Sequence, residues 1–332
     1  MKPSDLTIVL PVFGSPIYLS EALRSIEDLI TQGARLLVVD DGIHGDAQIQ
    51  LNTWIRTQNS DRISLKINHY NLGLFKSLNQ NLIFVKTKWF CFCCSDDLFL
   101  SDAALKLQQL KVGNHIGLIL SKFNSINPDS SLRYDDCQQL AFLVTKLGTI
   151  LSPDQMLPAL LRYGSLNGNL TGMLIKKSFW DSTGGFIPDW NHAADWEWMV
   201  RACSKTDTLL NLSPLVAVRT HTDQLSNFNQ SKATPLLESA KVITYLKKYP
   251  QIKHCLFSPW WSACLLQHHM WNLIFKNYPV NRVADAKHQL DVLNKASPLA
   301  LIAIAMLVSV PRRLVRRLMI AKTSLFSESS HN

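Results

Sequence analysis

Trp89-Phe90-Cys91-Phe92-Cys93-Cys94-Ser95-Asp96-Asp97 is an apolar run that ends abruptly in two carboxylates. Six bulky residues in succession read as a strand buried on both faces, because a strand with one wet face would alternate apolar and polar positions. Open α/β sheets bind their ligands beyond the carboxyl ends of the strands, which is where Asp96 and Asp97 fall. Two adjacent acids at such an edge suit a hard divalent cation. Mg²⁺ and Mn²⁺ prefer oxygen ligands, and Mg²⁺ fills much of its shell with water and substrate phosphate. The same residues also make a solvated turn in which Asp stops a strand and caps the next helix; this segment alone leaves both readings open.

Upstream, Leu6 to Val12 reads as a short apolar strand stopped by the turn cluster Phe13-Gly14-Ser15-Pro16. Tyr18 to Ile30 has helical periodicity, with Leu19, Leu23, Ile26 and Ile30 on one stripe. Arg35 to Val39 is a second strand ending in Asp40, Asp41 and Gly42; a helix over Ala47–Thr57, a strand over Ile63–Ile67 and a helix over Leu74–Val85 follow. This alternation predicts an α/β fold, a mostly parallel sheet flanked by helices. Acids at the ends of strands two and four populate one carboxyl-end crevice. Neither GxGxxG nor GxxxxGK[ST] stands where strand one meets helix one, which weakens nicotinamide binding and P-loop hydrolysis.

Downstream the alternation loosens. Asp102–Lys111 reads as a helix, Ile116–Ser121 as a strand, Asn124–Thr149 as irregular, Gly172–Ile175 as a strand and Asp195–Ala202 as a helix. Gly184-Gly185-Phe186 marks a turn, and Leu209–Val218 reads as strand–turn–strand about Pro214. From Pro235 the pattern is helical, with Trp260, Trp261, Trp271, His268 and His269 on a helix expected to pack its aromatic side inward. The domain boundary is placed near residue 230, giving units 1–230 and 231–332.

Composition agrees with a globular chain: 332 residues, 47% hydrophobic and 18% charged. The seven cysteines lie mostly in apolar segments, as in a reducing compartment, and no second Cys/His pair has finger spacing, so structural zinc is not expected. The start carries no segment resembling a signal peptide. The net charge of +9 is local, which argues against nucleic acid: Arg312, Arg313, Arg316, Arg317 and Lys322 are opposed only by Glu328. They follow Leu299–Val310, in which only Ser309 is polar, a run too short to span a bilayer. A basic, apolar helix in the membrane interface is expected, on the cytoplasmic side where anionic lipids lie; a helix packed on the protein body with a solvated basic face is the alternative.

Five segments in order resemble the family-two inverting glycosyltransferases of GT-A fold, of the bacterial cell-surface polysaccharide and lipopolysaccharide type. They are Thr7-Ile-Val-Leu-Pro-Val-Phe13, Leu37-Val-Val-Asp-Asp-Gly42, Asn71-Leu-Gly73 with Asn79, Cys94-Ser-Asp-Asp97, and Ala194-Asp-Trp-Glu-Trp-Met-Val-Arg201 preceded by Gly184-Gly185-Phe186. The resemblance covers about residues 5 to 226. It implies that Pro11, Phe13, Asp40, Asp41 and Asn71 line the nucleotide-sugar pocket, and that Asp96 ligates Mg²⁺ or Mn²⁺. The first acid of the family's metal motif is replaced by Cys94, with Asp97 adjacent to take up its contact. Asp195 matches the catalytic base, and the glutamate that often precedes it is Ala194. Arg219 and His221, after a strand, match positions that meet diphosphate and metal; a surface histidine at a strand end is the plain alternative.

The implied reaction moves a sugar from a nucleoside-diphosphate sugar, by default a UDP-sugar, to a hydroxyl of a glycan or lipid-linked glycan precursor. A divalent cation stabilises charge developing on the leaving diphosphate, and Asp195 takes the acceptor proton. Two other readings stand beside it. One is a metal-dependent nucleotidyltransferase, whose basic Gly-rich loop after strand one is missing here. The other is a degenerate, non-catalytic glycan-binding or scaffold member, motivated by Cys94 and Ala194.

Overall fold

The structure is a computed structural model that describes all residues except 15, 135–137, 167–169, 223, 225–232, 254, 256, 277–285 and 310–332. The chain divides into two compact units, Met1–Phe228 and Asn229–Asn332. The first begins with β1 (Leu6–Gly14), α1 (Leu19–Thr31), β2 (Arg35–Ile43), α2 (Gly45–Gln58), β3 (Ile63–Ile67), α3 (Leu74–Asn81) and β4 (Trp89–Phe92). It continues through β5 (Leu98–Phe99), α4 (Ala103–Gln109), β6 (Leu118–Ile126), β7 (Leu132–Tyr134), α5 (Gln138–Leu147), β8 (Ile150–Leu151) and α6 (Pro153–Tyr163). β9 (Leu174–Lys176), α7 (Lys177–Thr183), α8 (Ala194–Cys203) and β10 (Thr208–Arg219) complete it.

One sheet of ten strands runs β3-β2-β1-β4-β9-β6-β10-β5, with β7 on β6 and β8 on β10. β1 pairs parallel with β2 and β4, β2 with β3, and β6 with β10, while β9 is antiparallel between β4 and β6. The apolar run behaves as its composition demands: all four residues of β4 are buried, and it lies beside Leu6–Val9 of β1, also buried throughout. Leu19, Leu23, Ile26 and Ile30 form the buried stripe of α1.

Two expectations are corrected. Asn124–Thr149 is not irregular: β6 runs on to Ile126, and β7 and α5 follow. Its extension is a period-2 strand, with Phe123, Ser125 and Ile126 buried and Lys122 and Asn124 half-exposed, which the polar composition disguises. Leu209–Val218 is one strand, not two. Pro214 cannot donate to a ladder, and it sits where the β10–β6 register shifts between Asn211 and Val216.

The second unit is helical among its described residues: α9 (Thr234–Leu246), α10 (Pro250–Lys253), α11 (Ser258–Lys276), α12 (Ala286–Ala296) and α13 (Leu299–Ser309). Leu236, Ala240, Ile243, Leu246, Leu266 and Leu293 are buried in it. The aromatic side of α11 is less enclosed than expected: Trp260, Trp261 and Trp271 are half-buried and His268 is exposed.

Candidate active site

The carboxyl ends of β1, β2 and β4, joined by the end of β10, form one acidic corner. Asp97 is its clamp. At 2% exposure, it accepts the Thr171 hydroxyl on Oδ2 at 2.5 Å and the backbone N–H of Arg219 on Oδ1 at 2.9 Å, tying the β4 end to the β9 approach and to the end of β10. Thr171 Oγ1 also receives the N–H of Cys94 at 3.0 Å. Gly172, at φ +84°, follows; a Cβ there would stand 2.8 Å from Val216 Cγ2, so the Thr171 loop can approach β10 only without a side chain at this position.

Asp96 faces differently. Its side chain keeps 26% exposure, and Oδ2 lies 3.1 Å from Nε2 of His221, itself 11% exposed and edge-on to the Tyr18 ring at 5.1 Å. One ligand atom from each of Cys94, Asp96 and Asp97 lies within 4.8 Å of the others. Thiol and carboxylate oxygens, with an imidazole on Asp96, are a donor set that fits a divalent transition ion. The Cys94 thiol is driven well above its ordinary pKa by burial first, then by the charges of Asp97 and Asp96, against a lowering hydrogen bond from Thr171; the charge of Asp195 adds to the rise. Asp195 is therefore near enough to this corner to act on it electrostatically.

Arg219, predicted to meet the diphosphate, is engaged within the protein. Its side chain is fully buried, with Nε donating to the Asp96 carbonyl at 3.0 Å. One terminal nitrogen donates to the Pro128 carbonyl at 2.8 Å and to Ser130 Oγ at 3.0 Å; the other donates to Glu21 Oε2 at 2.9 Å. The guanidinium also lies 4.1 Å from the Tyr18 ring centroid. It anchors the Asp96 backbone at the corner.

Asp40 and Asp41, at 4% and 5% exposure, are also engaged. Asp40 Oδ1 accepts the N–H groups of Gly42 and Ile43 at 2.9 and 2.8 Å, shaping the turn after β2. Asp41 accepts Asn68 Nδ2 and Leu72 N–H on Oδ1, both at 2.8 Å, and Gly73 N–H on Oδ2 at 2.9 Å, which fixes the loop before α3. Asn71 Oδ1 accepts the same Gly73 N–H at 2.8 Å. A carboxylate has about four lone-pair sites, so Asp41 keeps roughly one for a ligand. Pro11 is half-buried in β1, and Phe13 at the strand's end is 59% exposed.

Asp195 opens α8, half-buried, its Oδ1 accepting the following N–H of Trp196 at 2.8 Å. The helix is pinned from beneath. Trp198 Nε1 donates to the Gly184 carbonyl at 2.8 Å, and Arg201, paired to Glu197 at 2.6 Å, donates to the Thr183 and Gly185 carbonyls at 2.8 and 2.6 Å. Asn79 closes the clasp from α3, donating to the Phe186 carbonyl at 2.8 Å and accepting its N–H at 2.9 Å. Thr171, Tyr18, Glu21 and the Glu197–Arg201 pair were not singled out from sequence. The i,i+4 spacing of Glu197 and Arg201 is a helix signal; Thr171, Tyr18 and Glu21 carry none.

The fold is that of a GT-A glycosyltransferase. The family model for Glycosyl transferase family 2 matches residues 7–138, from β1 to the start of α5, and includes the ends of β1, β2 and β4. No curated protein matches the chain significantly. S. aureus TarS 1-349 in complex with UDP-GlcNAc is similar at TM-score 0.61 and 14% identity, over 91% of this chain and 83% of that one. The mannosyltransferase PcManGT from Pyrobaculum calidifontis, in complex with GDP-Man and Mn²⁺, is similar at TM-score 0.54 and 13% identity, over 96% and 81%. These likenesses carry the fold. The family-2 domain over residues 7–138 marks the chain as a glycosyltransferase.

Proposed function

We propose that this glycosyltransferase moves a sugar from a nucleoside-diphosphate sugar, preferentially a UDP-sugar, to a hydroxyl of a cell-surface or lipid-linked glycan precursor, with inversion and with a divalent metal. The observation that carries this reading is Asp96. It is the one acid of the β4 end that keeps solvent exposure, it is paired to His221, and it sits in a corner on which the Asp195 charge acts. Asp96, with Cys94, Asp97 and His221 around it, would hold Mn²⁺ or Mg²⁺, which supplies charge stabilisation to a leaving diphosphate. Asp195, half-buried at a helix N-terminus, would accept the acceptor's proton; the clasp beneath α8 fixes its position. Phe13, exposed at the end of β1, offers a face to the donor's base, and the remaining lone pair of Asp41 a contact to its ribose.

Donor screening tests the reading. With Mn²⁺ present, one nucleoside-diphosphate sugar should raise the melting temperature and release nucleoside diphosphate. Asp195→Asn should keep the thermal shift and lose about 10²–10⁴-fold in turnover, the usual contribution of a general base. Asp96→Ala should lose the metal-dependent part of the shift. Turnover equal in wild type and both variants, or no shift with any donor, would refute the assignment.

A further inference from the structure

The second unit carries a surface that glycosyl transfer does not use. α13 buries Ile302 and Ala305, at 1% and 4% exposure, and Ser309 Oγ donates to Gln267 Oε1 of α11 at 3.0 Å, which sets the roll of the helix within its unit. The opposite side shows Ala300, Ala303, Ile304, Leu307 and Val308, all exposed. Their spacing of three, four, seven and eight from Ala300 places them on one stripe. Ile304, Leu307 and Val308 are 46%, 71% and 63% exposed, on a helix with no charged residue. Water-facing helix positions ordinarily hold charged or polar side chains, and a contiguous apolar stripe marks a contact surface.

Charge decides what covers it. Arg312, Arg313, Arg316, Arg317 and Lys322 follow this helix in sequence, with only Glu328 opposing them. An anionic bilayer takes up both features at once, the apolar stripe entering the headgroup–acyl boundary and the cations meeting lipid phosphate. Among the described residues no single helix is long and apolar enough to cross a membrane; α12 and α13 reach that length and hydropathy only together, across a 78° bend, and α12 carries Asp291 and Lys295. The chemistry is that of lying on a surface.

We propose that Ala300, Ala303, Ile304, Leu307 and Val308 are the docking face for an anionic lipid surface, a partner chosen by the basic sequence that follows them. Docking is independent of donor chemistry and is read without turnover, so its failure is separate from failure of the catalytic assignment. The full chain should cosediment with phosphatidylcholine vesicles containing phosphatidylglycerol and much less with phosphatidylcholine alone. Leu307→Glu with Val308→Glu should weaken that partition by more than about tenfold, as two exposed apolar anchors are lost. Arg312→Gln with Arg313→Gln should weaken it by about thirtyfold and reduce its salt sensitivity. Unchanged melting temperatures would confirm that these exposed positions leave the fold intact. Equal binding to neutral and anionic vesicles would overturn the proposal. So would unchanged binding by the Glu variant, or a solution dimer that the Glu variant dissolves in a chain that ignores vesicles.

Discussion

Replacing Cys94 with Asp tests how the acidic corner is balanced. Its ligand atom lies within 4.8 Å of one oxygen each of Asp96 and Asp97. Two unit charges at that separation repel by about 3.5 kcal/mol at an effective dielectric constant of ~20. The new acid can avoid this only by holding a proton, which at pH 7 costs about 4 kcal/mol for a group of ordinary pKa ~3.9. Metal-free Cys94→Asp protein should therefore lose about 2–4 kcal/mol, an expected fall of about 5–15 °C in melting temperature. A divalent cation reverses the sign, because three carboxylates then attract one ion. Scanning fluorimetry in chelator and in Mn²⁺ should show a lower start and a larger metal increment for the variant. Cd²⁺, which favours thiolate, should stabilise wild type more than the variant. Identical melting temperatures in chelator with identical Mn²⁺ increments would show that Cys94 does not share a site with Asp96.

Two further outcomes are expected. A Cβ at position 185 would stand 2.4 Å from Asn79 Oδ1, which is held by its bonds to Phe186, so Gly185→Ala should cost about 1–3 kcal/mol in wild type and less than about 0.5 in an Asn79→Ala background; additive denaturation energies would contradict the clasp. Burial raises the thiols of Cys91, Cys93 and Cys94, and pushes Cys203 up to about 12. Above about pH 8.5 the unfolded chain releases these protons while the native chain keeps them, so stability is full below that pH and should fall by about 1.4 kcal/mol per pH unit per thiol above it. Urea midpoints that stay flat from neutral to alkaline pH would sink that reading.

The first half of the fold was legible because its elements obey single periods. β4 is wholly apolar and α1 repeats at three and four, so each declares its type and which of its faces are buried. Sequence alone ends β6 early because Ser121, Asn124 and Ser125 look like loop residues, although the burial of Ser121, Phe123 and Ser125 between half-exposed Lys122 and Asn124 is strand-like. β10 was split because Pro214 signals a turn, yet a register shift in a long strand accommodates it equally well. Site positions at strand ends could be placed from sequence; what each carboxylate does there could not. That depends on Asn68, Leu72, Thr171 and Glu21, brought in by loops and by a helix far away in sequence, with no local pattern pointing to the contact.

Hydrogen bonding sorts five acids that sequence alone leaves alike. Asp40, Asp41 and Asp97 are at most 5% exposed and spend their oxygens on backbone N–H groups, Asn68 and Thr171. Each such bond stabilises a charged carboxylate away from water, which lets the chain bury three anions at the ends of its strands. Asp96, at 26% side-chain exposure, and the half-buried Asp195 are the two that keep contact with solvent. The buried guanidinium of Arg219 belongs to the first group: by bonding the carbonyl of Asp96 and offering its own N–H to Asp97, it fixes where the exposed carboxylate points while leaving that carboxylate to His221 and to whatever binds. Asp96, exposed and paired to His221, is therefore the acid to mutate first.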